Sequence, residues 1–261
     1  MADARSAPGS HHHGQGSPVE RVVVSGRRPD GSSRLTIRRQ PDDTTCGPTA
    51  LHAVYRYYGD RISLDRVVGE VPALETGGTL GVLLGSHAVG RGYRARLYTY
   101  NLQVFDPTWF TSGGVDLQAK LARQARSPKA RRVRETSEAY REFLTRGGEV
   151  FYEDLTAAVL RRHLNVHEPI LTGLSATYLY RAPRERAATN VPDDIDGEPA
   201  GHFVVLTGYD PRRRSVGVAD PYPGHPLGTG PYYGVPIERL VGAIFLGALT
   251  FDGNLLVVTP R

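Results

Sequence analysis

The sequence predicts an α+β fold in a single domain. Helical patterns dominate the first two thirds of the chain and most strand patterns lie near its end, without a regular alternation of the two. The chain has 261 residues, 39% of them hydrophobic, so it can bury a large core without disulfides or metal ions. Because we find neither a repeat nor a linker, we predict a disordered tail over residues 1–18 and one domain over residues 19–261.

The first predicted elements surround a loop that contains the only cysteine of the chain. Two strands are expected over residues 19–27 and 34–40, on either side of a turn rich in glycine and serine. A helix then begins near Pro48 and ends at Gly59, because apolar residues recur on one face between these positions. Next come a short helix capped by Ser63, a helix capped by Thr79 and a strand over residues 93–100.

The second half of the chain is predicted to become rich in strands. Before that region we expect helices over residues 115–126, 131–146 and 153–163 and a strand over residues 169–180. The final elements are a hairpin of strands 202–210 and 215–220, a helix near residues 236–246 and a strand over residues 254–260. Residues 181–201 lack a regular pattern and are long for a connection, so we hypothesise a lid or a substrate-recognition loop there.

Charge and hydropathy exclude several classes of protein. The net charge of +5 permits anionic partners without requiring them. The basic segment 121–142 has almost no aromatic side chain for base stacking, so we predict no nucleic-acid partner. No run of about 18 apolar residues predicts a membrane span, and residues 1–18 lack the apolar core of a signal peptide. We therefore expect a cytoplasmic protein, of an oligomeric state that the sequence does not determine.

Neither a metal site nor a cofactor is predicted. One cysteine forms no intramolecular disulfide and no cysteine zinc cluster. His11 to His13 lie in the polar tail, and His163 and His167 lie where a helix is expected to end. The acidic run over residues 193–198 departs from the pattern of a calcium-binding EF-hand loop.

The position of Cys46 favours a reactive thiol. It lies where a loop enters a helix, immediately before Gly47 and Pro48. Free N–H groups and the positive end of the helix dipole favour a thiolate at such a position and can also hold an oxyanion. A buried cysteine that packs as a small apolar side chain is the alternative, and position alone leaves both possibilities open.

A nucleophilic thiol needs a histidine base and a group that orients it, and both are predicted at one edge of the sheet. His202 opens the first strand of the predicted hairpin, and Asp220 closes the second. If the hairpin turns about Arg212, paired residues have numbers that add up to about 424, which places the two side chains close together. We therefore expect Asp220 to accept a hydrogen bond from Nδ1 of His202.

Gln40 completes the candidate set. It lies in the loop that leads to Cys46, where a side-chain amide can donate a hydrogen bond to an oxyanion beside the Cys46 N–H group. A loop glutamine taken alone is usually an ordinary surface residue, so its assignment depends on the other three residues.

Together these residues resemble the set found in papain-like cysteine peptidases of the C39 family and its C39-like relatives. In that family a glutamine precedes the cysteine by this interval, the cysteine opens a helix, and a histidine and an Asp-Pro pair follow far downstream. The residues that carry the resemblance are Gln40, Cys46, His202 and Asp220. The resemblance covers residues 35–100 and 200–225.

The resemblance implies a papain-like, C39-type α+β fold in which an N-terminal helical part packs on a C-terminal antiparallel sheet. It implies Cys46 as nucleophile, His202 as base, Asp220 as orienting residue and Gln40 in the oxyanion hole. The activity that it implies is hydrolysis of a peptide or another amide bond, with a peptide or amide as substrate and no cofactor. An acyl or peptidyl transferase with the same triad and a non-catalytic peptide-binding module remain as alternatives.

The sequence also departs from the best-known members, which are domains of ABC exporters that cleave double-glycine leader peptides. It contains no predicted membrane span and no Walker A sequence, so we do not transfer leader-peptide cleavage to it. Residues 101–200 exceed what a minimal domain of this type needs, and we expect an insertion there that determines the substrate.

Overall fold

A seven-stranded sheet lies at the centre of the computed structural model, which describes residues 35–75, 77–111, 114–187 and 189–261. The predicted tail and the strand predicted over residues 19–27 lie outside these ranges. The strands are β1 Arg94–Thr99, β2 Glu149–Phe151, β3 Ile170–Ser175, β4 Glu185–Arg186, β5 Val191–Pro192, β6 Gly201–Asp210, β7 Ser215–Ala219, β8 Tyr232–Pro236 and β9 Asn254–Thr259. The sheet has the order β2-β1-β9-β3-β6-β7-β8, and β4 and β5 form a separate pair.

The sheet is mostly antiparallel. The β1–β2 pair is parallel, whereas β1–β9, β3–β9, β3–β6, β6–β7 and β7–β8 are antiparallel. The helices are α1 Cys46–Tyr57, α2 Leu64–Glu70, α3 Gly81–Gly90, α4 Thr108–Thr111, α5 Leu117–Ala125, α6 Arg131–Thr145, α7 Ala157–Leu164, α8 Ala176–Tyr180 and α9 Ile237–Gly247. A 3-10 turn, Ala248–Thr250, follows α9. The predicted α+β class is confirmed.

The core has two parts, one on each face of the sheet, and the side chains of β6 contribute to both. Its side chains point alternately to opposite faces, as in any strand. Phe203 and Val205 belong to an apolar cluster that includes α1 and α3, whereas Val204 and Leu206 belong to a second cluster that includes α7 and α9. The N-terminal helices therefore pack on one face of a sheet whose strands come mostly from the second half of the chain.

Local signals predicted several of these elements correctly. Gly59, with φ of +83°, follows the end of α1, as expected for a residue that leaves a helix in the left-handed region. The hydroxyl of Ser63 caps α2 by accepting a hydrogen bond from the N–H of Arg66 at 3.3 Å. Four further helices, α3, α5, α6 and α9, and the strands β1, β6, β7 and β9 also lie within a few residues of their predicted positions.

Two predictions near the N-terminal part were wrong. Residues 35–40 form no strand, because their backbone instead bonds to groups near the end of the sheet. The N–H of Ile37 donates to the hydroxyl of Tyr232 at 3.1 Å. Thr79 does not cap α3: the N-cap residue is Leu80, and the Thr79 hydroxyl donates to the carbonyl of Pro72 at 2.9 Å.

The strand predicted over residues 169–180 is half strand and half helix. The observed strand β3 ends at Ser175. The hydroxyl of Ser175 accepts a hydrogen bond from the N–H of Tyr178 at 3.3 Å and so caps the short helix α8. Residues 181–201 contain the short pair β4–β5 and are not structureless. The strands β2 and β8 and the helix α4 were not predicted.

Residues 101–200 contribute to the main core. Within that range, β3 lies in the middle of the sheet and all six of its residues are buried. Tyr140 and Phe143 of α6 pack in the same cluster as α1 and α3. Among the described residues, no helix has the length and apolar character needed to cross a membrane.

Candidate active site

The thiol of Cys46 lies at the first residue of α1, after the N-cap residue Thr45. Within the described ranges no side chain caps this helix, so its first N–H groups are left for another acceptor. Gly47 allows the helix to approach its neighbours, because a Cβ at this position would lie 2.6 Å from Cγ2 of Thr79. Cys46 itself is buried, with 9% of its surface exposed.

The imidazole of His202 contacts the carboxylate of Asp220. Nε2 of His202 lies 2.8 Å from Oδ1 of Asp220, and both side chains are buried. The hairpin register brings them together: Val205 pairs with Ala219, and the numbers of this pair add up to the predicted value. The ring nitrogen that we predicted was wrong, since Asp220 contacts Nε2, not Nδ1. With Nε2 engaged, Nδ1 is the nitrogen that remains for Cys46.

Electrostatics link Cys46, His202 and Asp220. Burial lowers the pKa of His202, but the charge and hydrogen bond of Asp220, followed by those of Cys46, outweigh it and raise this pKa well above its usual value. Burial raises the pKa of Asp220, and the contact with His202 reverses this and holds it below the ordinary range. The arrangement therefore favours an imidazolium that is paired with a carboxylate on one side and faces the thiol on the other.

Asp220 also accepts three hydrogen bonds that the sequence did not reveal. The N–H of Tyr222 donates to Oδ1 at 2.9 Å. The hydroxyls of Tyr180 and Tyr233 donate to Oδ2 at 2.7 and 2.6 Å. Sequence patterns missed both tyrosines because Tyr180 lies within a wrongly predicted strand, and Tyr233 lies between residues 220 and 236, where no element is predicted.

Gln40 lies beside the end of the same hairpin. Its N–H donates to the carbonyl of Pro221 at 3.0 Å, which ties the loop before Cys46 to the residue after Asp220. The side chain is buried, and its Nε2 donates to the carbonyl of Asp42 at 2.8 Å. Oε1 is buried and has no hydrogen-bond partner among the described residues. Nε2 has this one partner among the described residues, so its second N–H is left for a further acceptor.

The segment before β6 reaches the loop that carries Cys46. Nδ2 of Asn190, at the turn of the β4–β5 pair, lies 3.3 Å from Oδ2 of Asp43. The pair is held internally by an ion pair between Arg186 and Asp193 at 2.7 Å. The contact between Asn190 and Asp43 therefore joins the segment before His202 to the loop before Cys46.

Other histidines have partners away from Cys46. His87 contacts the hydroxyl of Tyr55 at 2.7 Å and Glu70 at 3.1 Å. Nδ1 of His163 lies 2.7 Å from Glu168, and its Nε2 lies 3.0 Å from the hydroxyl of Tyr98. In the part of the chain that the structure describes, no group of three or more side chains could hold a metal ion.

A model of a known protein family matches the chain over residues 34–229. The chain belongs to the Peptidase_C39 like family. Because the match includes both the loop with Cys46 and the hairpin with His202 and Asp220, this C39-like chain has the papain-like α+β fold of the family. Among curated proteins, no significant match is found.

Several solved structures are similar to this C39-like chain. The peptidase domain of Streptococcus ComA, a bifunctional ABC transporter, is 14% identical, with 87% of this chain and 100% of that chain covered and a TM-score of 0.43. A putative C39-like peptidase from Bacillus anthracis is 15% identical, with 87% and 95% covered and a TM-score of 0.46. Xylellain, a cysteine protease from Xylella fastidiosa, is 17% identical, with 94% and 91% covered and a TM-score of 0.42.

Proposed function

We propose that this C39-like chain is a cysteine peptidase or a related amide hydrolase. Its nucleophile is Cys46, its base is His202 and the residue that orients the base is Asp220. The observation that supports the proposal most is the pairing of Nε2 of His202 with Oδ1 of Asp220 at 2.8 Å, while the same imidazole interacts with Cys46. This is the order of contacts that a thiol nucleophile needs from its base and from the group behind the base.

The reaction follows from these positions. Transfer of the thiol proton of Cys46 to His202 gives a thiolate and an imidazolium. Sγ then forms a bond to the carbonyl carbon, and the oxyanion that results accepts hydrogen bonds from the N–H of Cys46 and from the Gln40 amide. The imidazolium of His202 gives its proton to the leaving nitrogen, the C–N bond breaks and a thioester remains. His202 then takes a proton from water, and the water oxygen attacks the thioester. The C–S bond breaks, the acid is released, and the proton on His202 returns to Sγ, which restores the thiol.

Alkylation with iodoacetamide at pH 6 tests the nucleophile and its base. We expect fast labelling of Cys46, and we expect the rate to fall at least about tenfold in His202→Ala, because the thiolate loses its paired imidazolium. A matched control is His167→Asn, which removes an exposed histidine and keeps a side chain that tolerates the φ of +61° found there. Labelling of the native protein as slow as that of a free thiol would leave only a peptide-binding module.

A second experiment separates hydrolysis from acyl transfer, which the same three residues support equally well. The protein is incubated with a peptide library in the presence and absence of an added amine, and the products are identified by mass spectrometry. Free carboxylic acids formed with or without the amine indicate a hydrolase. Conjugates that replace the acid when the amine is present indicate a transferase.

A further inference from the structure

Two tyrosine hydroxyls hold the oxygen of Asp220 that does not touch His202. Tyr180 ends α8 and Tyr233 lies in β8, so they approach the carboxylate from separate elements. Their hydroxyls donate to Oδ2 at 2.7 and 2.6 Å, while Asp220 is only 1% exposed. No solvent is needed to satisfy this oxygen, because two phenols supply its hydrogen bonds.

The two oxygens of Asp220 therefore have different partners. Oδ1 contacts Nε2 of His202 and the N–H of Tyr222, whereas Oδ2 contacts only the two hydroxyls among the described residues. Rotation of the carboxylate about its Cβ–Cγ bond would break four hydrogen bonds at once. The phenols thus fix the direction in which Oδ1 faces the imidazole.

A third ring, that of His225, packs against the two tyrosines. The ring centroid of His225 lies 4.7 Å from that of Tyr233 and 6.2 Å from that of Tyr180, and Nε2 of His225 lies 3.1 Å from the carbonyl of Gly230. The titratable groups that face Asp220 directly are His202, Tyr180 and Tyr233. Cys46 lies beyond His202, and His225 lies beyond the tyrosines.

We propose that Tyr180 and Tyr233 are positioning residues, which hold Asp220 ionised and aimed at Nε2 of His202 while Cys46 reacts. This role rests on the proposed function, because it matters for chemistry only if His202 serves Cys46. Hydrogen bonds to the charged form of a carboxyl group favour that form, and both hydroxyls contribute to the low pKa of Asp220. Burial, together with the charge of Asp220, raises the pKa of Tyr180 and of Tyr233, so both remain donors throughout the working range of pH.

The test uses Tyr180→Phe, Tyr233→Phe and the double variant, which remove hydroxyls and keep the rings. The rate of alkylation of Cys46 is measured as a function of pH, and the ¹³C signal of the Asp220 carboxyl is titrated by NMR after assignment through Asp220→Asn. We expect both the acid limb of the alkylation profile and the pKa of Asp220 to move up by about one pH unit for each hydroxyl removed. A purely structural role would slow labelling or lower the melting temperature without moving either midpoint.

Tyr98→Phe is the matched control, since it removes a buried hydroxyl that contacts Nε2 of His163 at 3.0 Å, away from Asp220. It should lower stability and leave both midpoints unchanged. Midpoints that do not move in any of the three test variants would overturn the proposal. If the pKa of Asp220 rises in those variants but Cys46 of the native protein is unreactive, the role in holding Asp220 stands and the proposed function fails.

Discussion

At the residue scale, the candidate site combines groups that local sequence revealed and groups that it did not. Cys46 was marked by a helix start, and the pair His202 and Asp220 by the two ends of a hairpin. The orientation of the imidazole was not predictable, because the hairpin register fixes where a side chain starts and not which ring nitrogen meets the carboxylate. Tyr180 carries no local signal at all, since 40 residues separate it from the Asp220 carboxylate that it contacts.

Gln40 provides the prediction that belongs to this scale. In Gln40→Ala we expect acylation of Cys46 by p-nitrophenyl acetate to slow by about 10²–10³, because the oxyanion loses one donor. Alkylation by iodoacetamide forms no oxyanion, so its rate should stay close to that of the native protein. The comparison of the two rates, by nitrophenol release and by mass spectrometry, makes the alkylation its own control. Equal losses in both reactions would place Gln40 in the structure of the loop, where its backbone N–H already bonds to Pro221.

At the scale of single elements, the glycine at the start of α1 determines how closely the helix approaches the rest of the site. A Cβ on Gly47 would lie 2.6 Å from Thr79, 3.2 Å from Leu84 and 3.3 Å from Phe203. These contacts come from the loop before α3, from α3 itself and from β6, where Phe203 directly follows His202. The packing of α1 on β6 at this point therefore controls the distance between the thiol and its base.

We predict that Gly47→Ala lowers the free energy of unfolding by about 1–3 kcal/mol, as expected when a methyl group is forced into a packed core. It should also slow the alkylation of Cys46, because the start of α1 must move away from β6. The control is Gly69→Ala in α2, where a Cβ meets no heavy atom of the described residues within 4 Å. Urea denaturation should show that this control gains up to about 1 kcal/mol. Equal midpoints for the two variants would contradict the prediction.

At the scale of the whole molecule, the sheet brings the ends of strands that are far apart in the chain close to His202. Asp252 precedes β9 and is buried against β3 and β6: a Cβ on Gly173 would lie 2.6 Å from its Cβ, and a Cβ on Gly201 would lie 2.7 Å from its Oδ2. Its Oδ1 has no hydrogen-bond partner among the described residues. Burial raises the pKa of Asp252 to about 7, although the positive charge of Arg132 opposes the shift.

This buried carboxyl makes stability depend on pH. In the unfolded chain the pKa of Asp252 returns to about 3.8, so between these two values the folded protein binds a proton that the unfolded chain has lost. The contribution of Asp252 to the free energy of unfolding therefore falls as the pH rises from about 4 to about 7. Each pKa unit corresponds to about 1.4 kcal/mol, which sets an upper limit of roughly 4 kcal/mol for the loss above pH 7.

We expect Asp252→Asn to melt at a higher temperature than the native protein at pH 8 and at nearly the same temperature at pH 4. Asparagine has a similar shape and carries no charge to bury, which is the reason for the gain at the higher pH. Asp194→Asn, at an exposed position, is the control and should show no such dependence. Melting curves followed by circular dichroism supply the measurement, and a difference that is independent of pH would contradict this account.

The sequence by itself determined the α+β class, most helices and strands, and the two ends of the hairpin that carries His202 and Asp220. These features depend on periodicity, capping residues and the pairing of neighbouring strands, which act over a few residues. Only the tertiary structure decided that β3 lies in the middle of the sheet, that Tyr180 and Tyr233 meet at one carboxylate oxygen, and that Asp252 is buried. Such contacts join segments far apart in the chain, and they depend on packing of the whole core, which no local pattern encodes.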